Sequence, residues 1–153
     1  MVPPVILSAD VKKMKRKGAS IIFVNDKGEI LLLLRDNIPD IPYPNMWDLP
    51  GGHVENGETP EECIVREMGE ELDISLSDFD LFSATEFSDR IEYTFWEKVN
   101  FDITQINVNE GQKIKWFTET EAKNTELAYG FNRIVDSFFN KKLFNQYRED
   151  WEG

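Results

Sequence analysis

Between Gly52 and Ile74 the chain reads GHVENGETPEECIVREMGEELDI, a glycine-bearing loop that runs into a helix carrying clustered acids. The start of the helix is written locally. Thr59 suits the cap, Pro60 the first helical position, and Glu62 the capping-box position three residues after the cap. At about 100° per residue, Ile64, Val65, Met68 and Leu72 fall on one side, and Glu67, Glu70 and Glu71 gather on the neighbouring one. The first side predicts packing on a core; the second predicts a concentration of negative charge. Carboxylates three and four residues apart repel by roughly 0.2–0.5 kcal/mol per pair, and Glu67 and Glu71 have no basic residue one turn away. The arrangement calls for a cation. Hard oxygen ligands select Mg²⁺, Mn²⁺ or Ca²⁺, and Mg²⁺ in particular binds through a few carboxylates plus substrate phosphates. A phosphorylated substrate follows.

These residues resemble the Nudix box, G-x5-E-x7-R-E-U-x-E-E-x-G-U with U apolar, here carried by Gly52, Glu58, Arg66, Glu67, Met68, Glu70, Glu71 and Ile74. The preceding Trp47-Asp48-Leu49-Pro50-Gly51-Gly52 resembles the family's lead-in to the box. One position departs: Asp73 stands where the family has glycine. Asp tolerates the left-handed backbone that glycine serves better than most residues do, so the departure touches local geometry rather than chemistry. Outside the box, Asn109-Glu110-Gly111-Gln112 before Lys115-Trp116-Phe117 resembles the MutT-branch loop that supplies a further glutamate, which makes Glu110 a candidate ligand or base.

The resemblance implies a Mg²⁺-dependent hydrolase, with Mn²⁺ as substitute, that splits the phosphoanhydride of a nucleoside diphosphate joined to another moiety. The implied ligands are Glu67, Glu70, Glu71, the Gly52 carbonyl and Glu110. Water attacks phosphorus with Glu67, or else Glu110, as base. Arg66 is expected to orient Glu67, against the plainer reading of a surface ion pair with Glu62 or Glu70. Glu58 reads either as an indirect contact to metal or as charge complementarity at the helix start. His53, directly after the glycine pair, is a candidate contact to phosphate or leaving group. Tyr43 and Tyr129 are candidate contacts to a base or sugar. Tyr129 stands near where the MutT branch places a purine-reading asparagine, which argues for stacking on a base over reading its edge. The competing reading is a catalytically idle Nudix-fold module that senses a nucleotide or partner. Such a module would be expected to lose carboxylates that this chain keeps. A calcium-binding structural protein lacks its loop spacing here. In the isopentenyl diphosphate isomerase branch a thiol acts, but the sole cysteine, Cys63, sits inside the helix.

The formal charge of −12 argues against nonspecific binding to nucleic acid or anionic membranes. With one cysteine no intramolecular disulfide forms, and a reducing cytoplasm fits. The apolar run Val5 to Leu7 is too short for a membrane span. A homodimer is left open. At 153 residues the chain is expected to be one domain, with a core over about 18–142, a basic lead-in (Lys12, Lys13, Lys15, Arg16, Lys17) and a C-terminal helix extension (Leu143, Phe144, Tyr147, Trp151).

Ala19 to Val24 and Ile30 to Leu34 read as strands buried on both faces, joined by a turn at Asn25-Asp26-Lys27-Gly28. Pro39, Pro42 and Pro44 stiffen a loop from Arg35 to Trp47, whose tryptophan reads as its anchor in the core. Phe79 to Phe87 and Ile91 to Val99 read as strands joined across Ser88-Asp89-Arg90, with a further one at Ile114 to Phe117. Phe131, Ile134, Val135, Phe138 and Phe139 make one stripe of a last helix. Strands bracketing one helix and ending in another imply an α/β/α sandwich with a mixed β-sheet between helices.

Overall fold

A computed structural model of the chain describes residues 15–142. The segments Val5 to Leu7, Lys12 and Lys13, and Leu143 to Trp151 lie outside the described residues. Seven strands form one mixed sheet: β1 (Arg16–Val24), β2 (Ile30–Leu34), β3 (Trp47–Asp48), β4 (Gly51–His53), β5 (Asp80–Glu86), β6 (Arg90–Lys98) and β7 (Lys113–Phe117). Helix α1 spans Pro60–Leu72, α2 Glu119–Lys123 and α3 Asn132–Lys141. Among the described residues no helix is long and apolar enough to cross a membrane.

β1 is the organising strand. It runs parallel to β6 over its whole length, from Arg16 opposite Arg90 to Val24 opposite Lys98, and antiparallel to β4 and β2 along its other edge. Its two faces serve two cores, because strand side chains alternate. Ala19, Ile21 and Phe23 join Leu31, Leu33 and the α1 residues Cys63, Ile64, Met68 and Leu72. Ile22 and Val24 join Ile30, Leu32, Phe117 and the α3 stripe of Phe131, Ile134, Val135, Phe138 and Phe139. The predicted sandwich and both buried runs are therefore present, and the last stripe packs where expected. Trp47 packs edge-on to Phe117 at 4.8 Å, anchoring the proline loop as its type suggested.

Several local expectations shift. β1 begins at Arg16, so the end of the basic cluster is strand, and Arg90 lies in β6 instead of the turn before it. Val65 is exposed, and Cys63 takes the buried place beside Ile64, because the sheet meets α1 slightly to one side of the apolar stripe. The short α2 is announced by no long periodic run, but Thr118 and Glu121 form a capping box of the same kind as Thr59 and Glu62. Asp73 ends α1 with φ 53 and ψ 34, and its N–H donates to Met68 O, so aspartate adopts the left-handed geometry usual for glycine.

Phe138 is fully buried against Phe82, Trp96 and Phe139. Phe138→Ala is expected to cost roughly 3–5 kcal/mol in urea unfolding; a cost no larger than that of an exposed substitution would contradict the packing described.

Candidate metal centre and cleft

Two glycines set where the site forms. An added Cβ on Gly51, whose φ is +152°, would run into the carbonyl oxygen of Ala19 on the paired strand. On Gly52 it would come within 2.5 Å of Glu67 Cδ and Oε1. The pair thus lets the backbone lie against β1 on one side and accept a carboxylate against it on the other. Gly51 N–H then donates to Glu71 Oε2 at 3.1 Å.

Carboxyl oxygens of Glu67, Glu71 and Glu110 all lie within 4.8 Å of one another. Glu67 and Glu71 come from successive turns of α1, and Glu110 from the loop before β7. Burial, then the charges of Glu67 and Glu110, push Glu71 up to about 9, so ionising it there needs a compensating cation. Burial also raises Glu67, against the pull of Arg66. A set of hard oxygens at this separation fits Mg²⁺ or Mn²⁺. Glu70 stands apart from the trio: it is exposed and pairs with Arg66 Nη1 at 3.2 Å.

Arg66 is the hub behind the trio. Its guanidinium grips Glu58 through two bonds, Nε to Oε2 at 2.7 Å and Nη2 to Oε1 at 3.0 Å, and reaches Glu67 Oε1 from Nη1 at 2.8 Å. Nη2 also donates to the His53 carbonyl at 3.2 Å. Glu62 is occupied by the helix cap instead. Hydrogen bonding to Arg66 pulls Glu58 down to about 2, keeping it ionised as a strut. Cys63, under the same loop, is pushed up to about 12 by burial and is a packing residue, not a nucleophile.

The trio opens onto a cleft of about 480 Å³. The same cleft is lined by Tyr129, Phe131 and Arg90. Arg90 is buried, bound by Nε to Glu92 Oε1 at 2.7 Å and by Nη2 to Tyr129 O at 3.0 Å, and its Cζ stands 4.3 Å over Phe87. Tyr129 has a left-handed backbone, φ 57, and meets the Tyr43 ring at 4.6 Å; Tyr43 is itself at φ 50 and exposed. Arg35 Cζ lies 5.1 Å from the Tyr129 ring centre. Of the two candidate tyrosines, Tyr129 lines the cleft and Tyr43 packs on Tyr129, while His53 lines the cleft from β4. Desolvation, then Arg16, Arg90 and Arg35, hold His53 below the usual histidine value, so it is neutral at pH 7. Arg90, Arg35 and Asp48 were not singled out in the sequence. Asp48 stands in the quoted lead-in, and a charged residue set between Trp47 and Leu49 was the available signal. It is buried, its Oδ2 pairs with Arg35 Nη1 at 3.3 Å, and its Oδ1 has no partner.

An α/β/α domain with an acidic candidate metal centre at the edge of a cleft is the class these features define. The NUDIX domain model matches residues 14–138, and the chain belongs to the Nudix family. The 8-oxo-dGTP diphosphatase of Escherichia coli is 41% identical over 78 residues, 49% of this chain and 59% of that protein. An RNA pyrophosphohydrolase of Pseudomonas putida is 29% identical over 107 residues, 67% of this chain and 58% of that protein. The chain thus spans under two thirds of the length of these curated relatives. The MutT protein of Methanosarcina mazei superposes with a TM-score of 0.68 at 25% identity, covering 84% of this chain and 96% of that one.

Two outcomes follow from the geometry. Gly52→Ala must push Glu67 aside, so Mn²⁺ binding measured by electron paramagnetic resonance is expected to weaken while the circular dichroism spectrum stays native. Burial raises Asp48 from 3.8 to about 7, so the folded chain holds its proton more tightly than the unfolded chain does. The stability this contributes is complete below the unfolded value and is lost as pH rises through about 7. The thermal midpoint of the metal-free protein should fall between about pH 4 and 7, and Asp48→Asn should flatten that fall. An unchanged slope in the variant would contradict this assignment.

Proposed function

We propose that this chain is a Mg²⁺-dependent pyrophosphohydrolase, with Mn²⁺ as substitute, that cleaves the phosphoanhydride of a nucleoside diphosphate linked to a further group. The observation that carries this reading is the meeting of Glu67, Glu71 and Glu110 in a cleft that Tyr129 and Phe131 also line. Divalent cations bound there would supply positive charge to the diphosphate and lower the pKa of an attacking water. Glu67, Glu71, Glu110 and the Gly52 carbonyl would hold them, with Glu70 as a further ligand if its exposed carboxylate left Arg66. Glu67, steadied by Arg66, takes the proton of water as its oxygen bonds to phosphorus and the anhydride P–O bond breaks. Glu110 is the alternative base. Each product leaves with one phosphate side of the broken bond.

The relatives' names support a nucleotide substrate, and so does the aromatic wall. Tyr129 and Tyr43 offer ring faces to a base, so recognition by stacking suits a range of nucleotides. Neutral His53 is placed to donate or accept at a phosphate without adding charge. A free, buried Cys63 suits a reducing cytoplasm.

The test is release of phosphate or pyrophosphate with Mg²⁺ and Mn²⁺ from nucleoside triphosphates, oxidised nucleotides, nucleotide sugars, dinucleoside polyphosphates and NADH. At least one is expected to be split, with Glu67→Gln and Glu71→Gln reducing kcat by about 10²-fold or more. Binding without turnover of any compound would replace this reading with that of a nucleotide sensor.

A further inference from the structure

Glu110 is the member of the trio that lies on a loop, and a loop residue keeps a ligand position only where the loop itself is pinned. Pins stand on both sides of it. Asn109 N–H donates to Glu71 O at 2.7 Å, and Asn109 Nδ2 donates to Glu70 O at 3.1 Å. These two carbonyls belong to the last turn of α1, where the helix offers no internal donor, so Asn109 caps α1 from a distant loop. Asn107 Nδ2 adds a bond to Asp73 Oδ2 at 3.1 Å. On the other side Gln112 N–H donates to Leu34 O at 2.8 Å, and Gln112 Nε2 donates to Arg35 O at 2.7 Å and to Asn45 Oδ1 at 2.8 Å. Between the pins, Gly111 takes φ +90°, and a Cβ there would stand 2.7 Å from Leu33 Cδ2.

We propose that the Asn109 and Gln112 side chains are positioning residues that together clamp Glu110 into the cation site, with Gln112 also tying that site to the proline-rich loop of Tyr43. The inference rests on the cation-binding reading above. Neither side chain joins the carboxylate trio; both act through Glu110. If their bonds only close a surface loop, removing them changes stability and leaves cation affinity alone.

The experiment is a Mn²⁺ titration of the full chain, stripped of metal and followed by electron paramagnetic resonance, with circular dichroism as a check on the fold. The variants are Asn109→Ala/Gln112→Ala, Glu110→Gln, and all three substitutions together. The clamp variant is expected to bind Mn²⁺ about tenfold more weakly. Added to Glu110→Gln, the same two substitutions should change affinity by less than about twofold. Wild-type affinity in the clamp variant would overturn the proposal, and so would an effect that persists in full once Glu110 has become Gln. A wild-type chain that binds no Mn²⁺ would instead sink the cation-site reading and the clamp with it. Should the double variant not fold, Gln112→Met keeps the length and loses the donor without adding charge, and the same criteria apply.

Discussion

Mutual repulsion among Glu67, Glu71 and Glu110 is the constraint on which the site's construction turns. Glu71 is buried with two other carboxylates beside it, an arrangement that opposes ionisation and strains the fold unless something offsets it. The protein's answer is partial. Arg66 neutralises the outer side of Glu67, and one backbone N–H from Gly51 serves Glu71. The inner faces of the trio are left open to the proposed cation. Stability and function therefore pull against each other at this one place, and the apolar face of α1, with Cys63, Ile64, Met68 and Leu72 locked on the sheet, holds the helix where the charges alone would not.

The cleft's other half is held by different means. Arg90 would be costly to bury by itself, but Glu92 faces it on the same strand and the rings of Phe87, Tyr129 and Phe131 surround it. Its bond to the Tyr129 carbonyl sustains a left-handed backbone at that tyrosine. Two non-glycine residues with positive φ, Tyr43 and Tyr129, thus pack on each other, where local strain is tolerated because neighbouring bonds and rings over-determine it.

What was legible in the sequence was what the chain encodes locally. The α1 cap, the facing acids and the glycine pair occupy one continuous stretch, and each follows from spacing alone. Glu110 was reachable through its short loop pattern. The roles of Arg90 and Asn109 were not, because their importance arises from partners 39 residues away. Val65 shows the same limit in reverse: its place on the helical wheel is right, yet the angle at which the sheet meets α1 leaves it exposed. Glu70 kept its predicted face but found Arg66, a choice that depends on where Glu58 and Glu67 had already drawn the guanidinium.

The parallel seam between β1 and β6 joins residues 74 positions apart along its entire length. On a ribosome, β1 with its apolar run emerges roughly 4–15 s before β6 at typical elongation rates. During that interval Ile21, Ile22, Phe23 and Val24 depend on the nearby hairpin with β2 for cover, with Arg16 and Lys17 discouraging association between nascent chains. The vulnerable moment in this protein's synthesis lasts until β6 has emerged to pair with β1.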